Sequence, residues 1–292
     1  MPLDRTILFH LVTNQYLERV VRAVPQGEAL AWQQASRYVA GHTADDAVRV
    51  VERLHERGVA GSVDQFGELV TDPVVADQAV SDYLRLAGRL AELPSRTWLA
   101  VDLTHLGLHA DPAACADHLA AIAQALPEGR RIQVGAEDDA SAEAVLSCVL
   151  AVAARGLSDR LGATVQANLR RTPRDLDRLV ASGVHIRLVK GAYVESADHV
   201  LAYGEPTNLA FLRLALTLAT SSVPFALATH DGVLREAVIA AHGPVEVEHL
   251  LGVRPEVVDD LVSREIPVRV YVPFGRDWFR YWMRRLAESR GA

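Results

Sequence analysis

The sequence predicts an α/β chain that closes into a distorted (β/α)8 barrel of the TIM type, and three observations favour this fold. Short β-prone segments alternate with helical segments eight times along the chain. Strands separated by helices pair in parallel through crossover connections. Residues 58–292 approach the ~250 residues that a closed barrel typically uses. A doubly wound sheet is disfavoured, because no G-x-G-x-x-G fingerprint follows a strand and no Walker motif occurs.

The individual elements follow from apolar runs, helical periodicity and turn residues. Strands are expected at 59–66, 97–103, 131–135, 162–168, 183–191, 223–229, 243–250 and 266–272. Helices are expected at 73–92, 112–126, 141–155, 173–181, 206–220, 234–241, 255–263 and 277–288. Several of these helices have proline in the first turn, where the missing N–H is harmless.

Residues 1–57 are predicted to form an N-terminal helical arm in front of the barrel at 58–292. Apolar residues at positions 17, 20, 21 and 24 recur at helical spacing until Pro25 and Gly27 interrupt them. A second helix is expected after Thr43, whose side chain would cap its first turn, and Gly58 would end it.

Composition restricts the class of protein. The 292 residues include 30 Lys and Arg against 37 Asp and Glu, a net charge of −7, which argues against a nucleic-acid partner bound by a broad basic face. Cys115 and Cys148 have neither a disulfide-framework nor a zinc-ligand spacing. The start carries Asp4 and no signal-peptide pattern, and the longest apolar stretch, 144–154, is shorter than a membrane span. We therefore expect a soluble, cytoplasmic enzyme.

Polar residues gather at the carboxyl ends of the predicted strands, where barrel enzymes place their active sites. Each has a structural alternative: Arg187 is typical of an ion pair within a strand, and Thr229 and Asp231 are typical of helix caps. Lys190, between a strand and a glycine, is also a candidate for a Schiff base. The set comprises Glu68, Asp102, His105, Gln166, Asn168, Arg187, Lys190, Thr229, His230, Asp231, Glu246, Glu248, His249 and Tyr271.

A metal centre has weak support. His105, Glu248 and His249 would suit a metal-dependent barrel hydrolase, and that class stays open as an alternative. His105 and His109 have no obvious third ligand near them in sequence, so we predict no metal.

The predicted last helix carries adjacent guanidinium groups. Tyr281, Arg284, Arg285 and Glu288 follow one another at helical spacing and share a face. Paired arginines bind a carboxylate or phosphate bidentately, although basic residues near a helix end are also common on solvated surfaces.

Several motifs together resemble the proline dehydrogenases, flavoenzymes built on a distorted (β/α)8 barrel. They are R-L-V-K-G-A-Y at 187–193, A-T-H-D at 228–231 and Y-V-P-F-G-R-D-W-F-R-Y-W-M-R-R-L-A-E at 271–288. F-G-E-L-V at 66–70, T-H-L-G-L at 104–108 and V-Q-A-N-L-R-R-T at 165–172 extend the resemblance, which covers the chain from about residue 40 onward.

The resemblance implies that the barrel binds FAD without a dinucleotide-binding fingerprint. The positions that match flavin-contacting residues are Gln166, Arg187, Lys190, Gly191, Ala192, Thr229, His230 and Glu288. A cation near the flavin N1/N5 region stabilises charge on the reduced ring. The resemblance also implies that the last helix lies over the barrel mouth.

The implied reaction is oxidation of L-proline to 1-pyrroline-5-carboxylate, by hydride transfer from a carbon next to the ring nitrogen to flavin N5. Arg187 and Tyr271 match catalytic positions. Residues expected around the substrate are Glu68, Asp102, Tyr193, Tyr281, Arg284 and Arg285, with the two arginines on the carboxylate and Glu68 as a gating partner. The partners would be a small amino acid and a quinone or other electron acceptor. A quinone would entail peripheral membrane contact, but the sequence shows no amphipathic anchor.

Two positions depart from the family pattern. Asp102 stands where members have a lysine, and Gly135 stands where they have an aspartate. Asn168 and Leu251 replace tyrosines seen in relatives. An anion in place of a cation weakens binding of a carboxylate by about 1 kcal/mol or more. The alternatives are therefore a flavoenzyme for another cyclic or secondary-amine amino acid, or a flavin-binding relative without activity.

Overall fold

The computed structural model describes residues 21, 23–24, 26–193 and 195–291, with side chains up to residue 285. Eight parallel strands form a closed barrel in the order of the chain, as the sequence predicts. They are β1 (Ala60–Gln65), β2 (Thr97–Val101), β3 (Ile132–Val134), β4 (Leu161–Gln166), β5 (His185–Val189), β6 (Phe225–Ala228), β7 (Glu246–Leu250) and β8 (Val268–Phe274).

Helices surround the barrel or close one of its ends. They are α1 (Gly27–Ala35), α2 (Ala44–Glu56), α3 (Pro73–Arg89), α4 (Pro112–Ala125), α5 (Asp139–Val152), α6 (Thr172–Ser182), α7 (Glu205–Ala219), α8 (Gly232–His242), α9 (Pro255–Ser263) and α10 (Trp278–Gly291). Short 3-10 turns at Leu90–Glu92, Leu103–Leu106 and Ser158–Arg160 join them. Proline stands in the first turn of α3, α4, α6, α7 and α9.

The arm is only partly as predicted. Thr43 caps α2 as expected: its hydroxyl accepts from the Asp46 amide at 3.3 Å, and Asp46 accepts from the Thr43 amide at 2.9 Å. The sequence did not separate α1, which begins at Gly27 after Gln26 in the left-handed region, because its apolar residues lack a helical period. Most of the first predicted helix lies outside the described residues, and the division at residue 57 stays a prediction.

Arg269 closes the amino-terminal end of the barrel. Its side chain is 2% exposed, donates to Glu246 at 2.9 Å and to the carbonyls of Gly61 and Arg96, and stacks over Trp98. Glu246 begins β7, so it lies at this end of the barrel. Its inclusion among the polar residues of the mouth was wrong, because a residue at the start of a parallel strand faces the opposite end.

Residues 139–160 form a helical run of 22 residues that is kinked at Gly156, and an 18-residue window within it has a mean hydropathy of 1.5, which by length and composition alone is enough to span a membrane. The run exceeds the apolar stretch 144–154 because polar residues extend it at both ends. It comprises α5, a π turn at Ala153–Leu157 and a 3-10 turn. Leu146, Val149 and Val152 are buried in the main core, so its apolar side packs within the barrel ring.

The last helix, α10, packs against the arm through a second, smaller core. Trp278, Phe279 and Tyr281 are at most 5% exposed and cluster with Ala31 and Ala35 of α1. Burial of these aromatic rings holds α10 across the carboxyl ends of the strands. The barrel mouth is therefore covered by the helix that carries the paired arginines.

Candidate active site

A cavity of about 370 Å³ lies at the mouth, between the end of β1 and α10. Its lining is charged: residues 64–68, Asp102, Tyr271, Asp277, Arg280, Tyr281 and Arg284. Of the residues expected around the substrate, Glu68, Asp102, Tyr281 and Arg284 line this cavity, together with Tyr271, which matches a catalytic position. Arg285 and Tyr193 do not.

Glu68 faces two guanidinium groups of α10. The Arg284 Nη1 lies 3.5 Å from its Oε2, as the family resemblance implies, and the Arg280 Nη1 lies 3.4 Å from its Oε1. Arg280 precedes Arg284 by one helical turn and was not singled out from the sequence. Asp64, Asp102 and Asp277 also line the cavity, so Arg280 and Arg284 are the groups there that suit an added anion.

A buried carboxylate in the cavity wall does not stand out in the sequence. Asp64 of β1 is 5% exposed and accepts from the Tyr271 hydroxyl at 2.5 Å and from the Tyr83 hydroxyl at 2.8 Å. Its signal was the inward pair Ser62 and Asp64, two polar residues on one side of a buried strand. Burial raises the pKa of Asp64 to about 6, although both tyrosine hydroxyls oppose the shift.

When the pH is raised from 4 to 7, we expect the free energy of unfolding to fall less in the Asp64→Asn variant than in the native protein. Because the folded pKa, about 6, lies above the ordinary 3.8, the folded protein binds this proton more tightly than the unfolded chain. The contribution favours folding at pH 4 and is lost as pH rises through 6, by about 2–3 kcal/mol. Urea unfolding at both pH values measures the difference, and parallel profiles would contradict it.

Asp102 and Gly135 occupy a common space at the ends of β2 and β3. A Cβ added to Gly135 would lie 1.8 Å from Oδ1 of Asp102. The Asp102 carboxylate therefore fills the position that a side chain at 135 would need. Asp102 in its present position and a side chain at position 135 therefore exclude each other at the ends of β2 and β3.

Glu137 and its neighbours tie three loops together beside Asp102. The Glu137 carboxylate accepts from the Thr104 hydroxyl at 2.9 Å, and its carbonyl accepts from the Gln166 side chain at 2.8 Å. The Tyr193 hydroxyl donates to the carbonyl of Ala136 at 2.9 Å. Gln166 and Tyr193 thus hold the loop after β3 through its backbone carbonyls. The contacts of Gln166 with a flavin and of Tyr193 with a substrate stay predictions.

Arg187 and Glu248 form a buried ion pair across the barrel. The Arg187 Nη1 lies 3.4 Å from Oε2 of Glu248, and their side chains are 11% and 4% exposed. The Arg187 Nε also donates to the hydroxyl of Thr164 at 2.9 Å. Burial raises the pKa of Glu248, and the Arg187 charge opposes that shift.

The strand ends around β5 and β6 present a second polar group. Lys190 lies 3.2 Å from Asp231, which also caps α8, and Thr229 accepts from the Asp231 amide. Gly191 has φ +104°, and a Cβ there would meet the Asn168 Oδ1 at 1.9 Å. Only glycine fits both the left-handed backbone and this close approach. Ala192 follows it.

Buried polar atoms without a hydrogen-bond partner among the described residues collect at these strand ends. They are the Asn168 Oδ1, the His230 Nδ1, both ring nitrogens of His249 and the Glu248 Oε1. The His230 and His249 rings meet edge to face at 4.9 Å. Burial lowers the pKa of His230 to about 3 and that of His249 to about 4, so both imidazoles are neutral at pH 7.

The predicted ligand contacts of Arg285 and Glu288 stay predictions, and the geometry also bears on the metal alternative. The Arg285 guanidinium lies over the Tyr281 ring at 5.0 Å, while the Glu288 side chain lies outside the described residues. Within the described part of the chain, no three His, Cys, Asp or Glu side chains form a group suited to a metal. His105 packs instead against Tyr83 and the backbone at Gly67, so the hydrolase alternative has no supporting geometry.

A closed barrel with a charged cavity at the carboxyl ends of its strands defines an enzyme of the (β/α)8 class. The family model described as "Proline dehydrogenase" matches residues 47–292. The chain belongs to the proline dehydrogenase family, flavin-dependent oxidoreductases that act on the CH–NH group of proline.

Curated relatives match over nearly their whole length. Proline dehydrogenase 1 of Bacillus subtilis (strain 168) is 31% identical over 292 residues, covering 97% of this chain and 94% of the relative. Proline dehydrogenase of Deinococcus radiodurans is 28% identical over 282 residues, covering 91% of this chain and 90% of the relative.

Solved structures share the fold. Proline utilization A (PutA) from Bdellovibrio bacteriovorus, inactivated by N-propargylglycine, superposes with a TM-score of 0.83 at 18% identity. A PutA mutant from Bradyrhizobium japonicum has a TM-score of 0.73 at 20% identity. The two matches include 98% and 91% of this chain, but only 36% and 32% of the longer PutA chains.

Proposed function

We propose that this protein is an FAD-dependent enzyme that oxidises L-proline to 1-pyrroline-5-carboxylate. The observation that carries the proposal is the position of Arg284, which faces the mouth cavity from the helix that covers it. An arginine there holds a carboxylate above the strand ends, where family members bind a flavin. Arg285 is proposed as the second carboxylate ligand, with Tyr193 and Tyr281 around the ring.

The strand ends fit a flavin. The isoalloxazine edge carries carbonyl oxygens, which accept hydrogen bonds, and an N3–H, which donates one, so the N3–H suits the unpartnered Asn168 Oδ1 and a carbonyl suits an Nδ1–H of His230. Gln166, Arg187, Lys190 and Thr229 lie on the neighbouring strand ends, and Gly191 and Ala192 complete the loop. When bound, the flavin supplies the hydride acceptor at N5.

The residues of the chain then orient the substrate and exclude water. Arg284 and Arg285 fix the carboxylate, while α10 covers the cavity. Arg187 and Tyr271 are proposed to act at the reacting centre, since Arg187 brings positive charge toward the flavin site and Tyr271 lines the cavity. The electron acceptor is proposed to be a quinone or another small carrier, and the location cytoplasmic.

The visible spectrum of the purified protein, recorded anaerobically before and after L-proline, tests this function. We expect a flavin band that bleaches with L-proline. A protein without a flavin band after reconstitution with FAD would contradict the proposed cofactor. A band that persists with L-proline would favour the alternative substrate or the inactive relative.

The alternative substrate, another cyclic or secondary-amine amino acid, is favoured by one observation. Asp102 places a carboxylate on the cavity wall at a position where family members carry a cation. A panel of substituted prolines and larger cyclic amino acids, scored by flavin bleaching, separates the two candidates. Faster bleaching by any of them than by L-proline would support the alternative.

A further inference from the structure

Asp102 differs from the other partly or fully buried acids at the barrel mouth. Two tyrosine hydroxyls satisfy Asp64, two guanidinium groups satisfy Glu68, and the amide and hydroxyl of Thr104 satisfy Glu137. Within the described part of the chain, the Asp102 side chain makes no hydrogen bond or ion pair. Its carboxylate lines the cavity and has acceptor capacity to spare.

The backbone holds Asp102 in this position. It stands at the amino end of the 3-10 turn Leu103–Leu106 but does not cap that turn with its side chain. The carboxylate lies instead in the space left by Gly135. Arg284 lines the same cavity, and each of the two groups stabilises the charged form of the other. An anion site and a cation site therefore share one small cavity.

We propose that Asp102 binds the secondary ammonium group of the substrate and accepts its proton. The inference rests on the proposed function, and it applies to L-proline and to any other secondary-amine acid alike. In an α-amino acid the carboxylate and the nitrogen are attached to the same carbon. A substrate held by Arg284 through its carboxylate thus presents its nitrogen within the same cavity, to the unpartnered Asp102.

The proton must leave before oxidation. One ammonium N–H bond breaks and its proton goes to Asp102, which frees the nitrogen lone pair. That lone pair forms the C=N bond as the neighbouring C–H bond breaks and its electron pair departs with the hydride to the flavin, the oxidant of the proposed function. The remaining N–H proton passes to solvent and leaves the cyclic imine.

The electrostatic surroundings make the charged Asp102 carboxylate a stronger base than an exposed aspartate, and a cation beside it favours that charged form. Burial raises the pKa of Asp102 well above its ordinary value, and neighbouring carboxylates raise it further while Arg284 opposes them. The charged and titratable groups near it are Asp64, Glu68, Tyr83, Glu137, Tyr193, Tyr271 and Arg284.

Two ligands that differ at one atom test the inference. L-proline carries the ammonium group, and (S)-tetrahydrofuran-2-carboxylic acid has an ether oxygen in its place. We expect Asp102→Asn to raise the Kd of L-proline, obtained from anaerobic flavin-reduction rates, about 10- to 100-fold. The same variant should bind the ether acid more tightly by calorimetry, because the repulsion between the carboxylate and the ether oxygen is removed.

The controls separate this inference from a general disturbance. Asp117→Asn alters a 69% exposed aspartate on α4 and should change neither Kd. Gly135→Ala, whose methyl group would displace the Asp102 carboxylate, should act in the same direction as Asp102→Asn and serves if that variant does not fold.

The possible failures are distinguishable. An unchanged Kd for both ligands in a folded Asp102→Asn variant that still bleaches would overturn the role of Asp102 and leave the proposed function intact. A protein that binds no flavin would contradict the proposed function, while the ether acid would still measure the effect of Asp102 by calorimetry.

Discussion

Replacing Arg284 with alanine is expected to lower kcat/KM for the amino-acid substrate by about 30- to 5000-fold, the cost of about 2–5 kcal/mol for truncating one partner of a buried charge pair. The loss should include a higher KM, because the carboxylate loses a ligand in the ground state as well as in the transition state. Flavin content should not change, since Arg284 lines the mouth cavity and not the strand ends around β5 and β6.

The matched control is Arg264→Ala. Arg264 is 39% exposed, pairs with Glu236 and Asp260, and follows α9 at the opposite end of the barrel. It should leave kcat/KM within about twofold, because exposed pairs contribute little. If both variants lost activity equally, the substrate carboxylate would have to be held elsewhere.

Replacing Arg187 with methionine is expected to destabilise the protein by about 3–5 kcal/mol, because Glu248 would keep a buried charge without a partner. At about 2–4 °C per kcal/mol, Tm should fall by roughly 10 °C. Arg264→Met, which breaks an exposed pair, should change Tm by little.

A second substitution separates stability from chemistry. In the double variant Arg187→Met with Glu248→Gln the buried charge is gone, so much of the lost Tm should return. Bleaching by substrate should not return if Arg187 acts on the flavin as proposed. A double variant as unstable as the single one would show that the ion pair is not the source of the loss, and recovered bleaching would remove Arg187 from the chemistry.

The barrel could be predicted because its signals are local. Strand and helix positions depend on apolar runs and turn residues, and Thr43 and Pro255 mark helix starts that the structure confirms. Glu246 and Glu248 show the limit of this reasoning. They share one face of a short strand. Glu246 lies at the amino-terminal end of the barrel with Arg269, whereas Glu248 lies inside the barrel with Arg187. Only the register of the strand decides which acid lies where.

The site was less accessible from sequence because its contacts join distant segments. The Asp64 carboxylate depends on Tyr83 and Tyr271, and no spacing rule connects these three positions. The relation between Asp102 and Gly135 was invisible for the same reason. The two positions are 33 residues apart in the sequence, but in space the Asp102 carboxylate occupies the place that a side chain at position 135 would need.

If Arg284 binds the substrate carboxylate as proposed, its ion pair with Glu68 makes Glu68 a competitor of that carboxylate. The Glu68 carboxylate lies 3.5 Å from the Arg284 guanidinium. Its effective concentration there is set by the fold, unlike that of a substrate, which depends on the concentration in solution. In the proposed function, an arriving carboxylate exchanges with Glu68 and leaves the charge on Arg284 balanced throughout. Apolar packing of Trp278 and Phe279 holds α10 during the exchange. The carboxylate paired with Arg284 thus changes while α10 keeps its position. Because Glu68 competes for Arg284, it limits the affinity for any substrate or product that binds there.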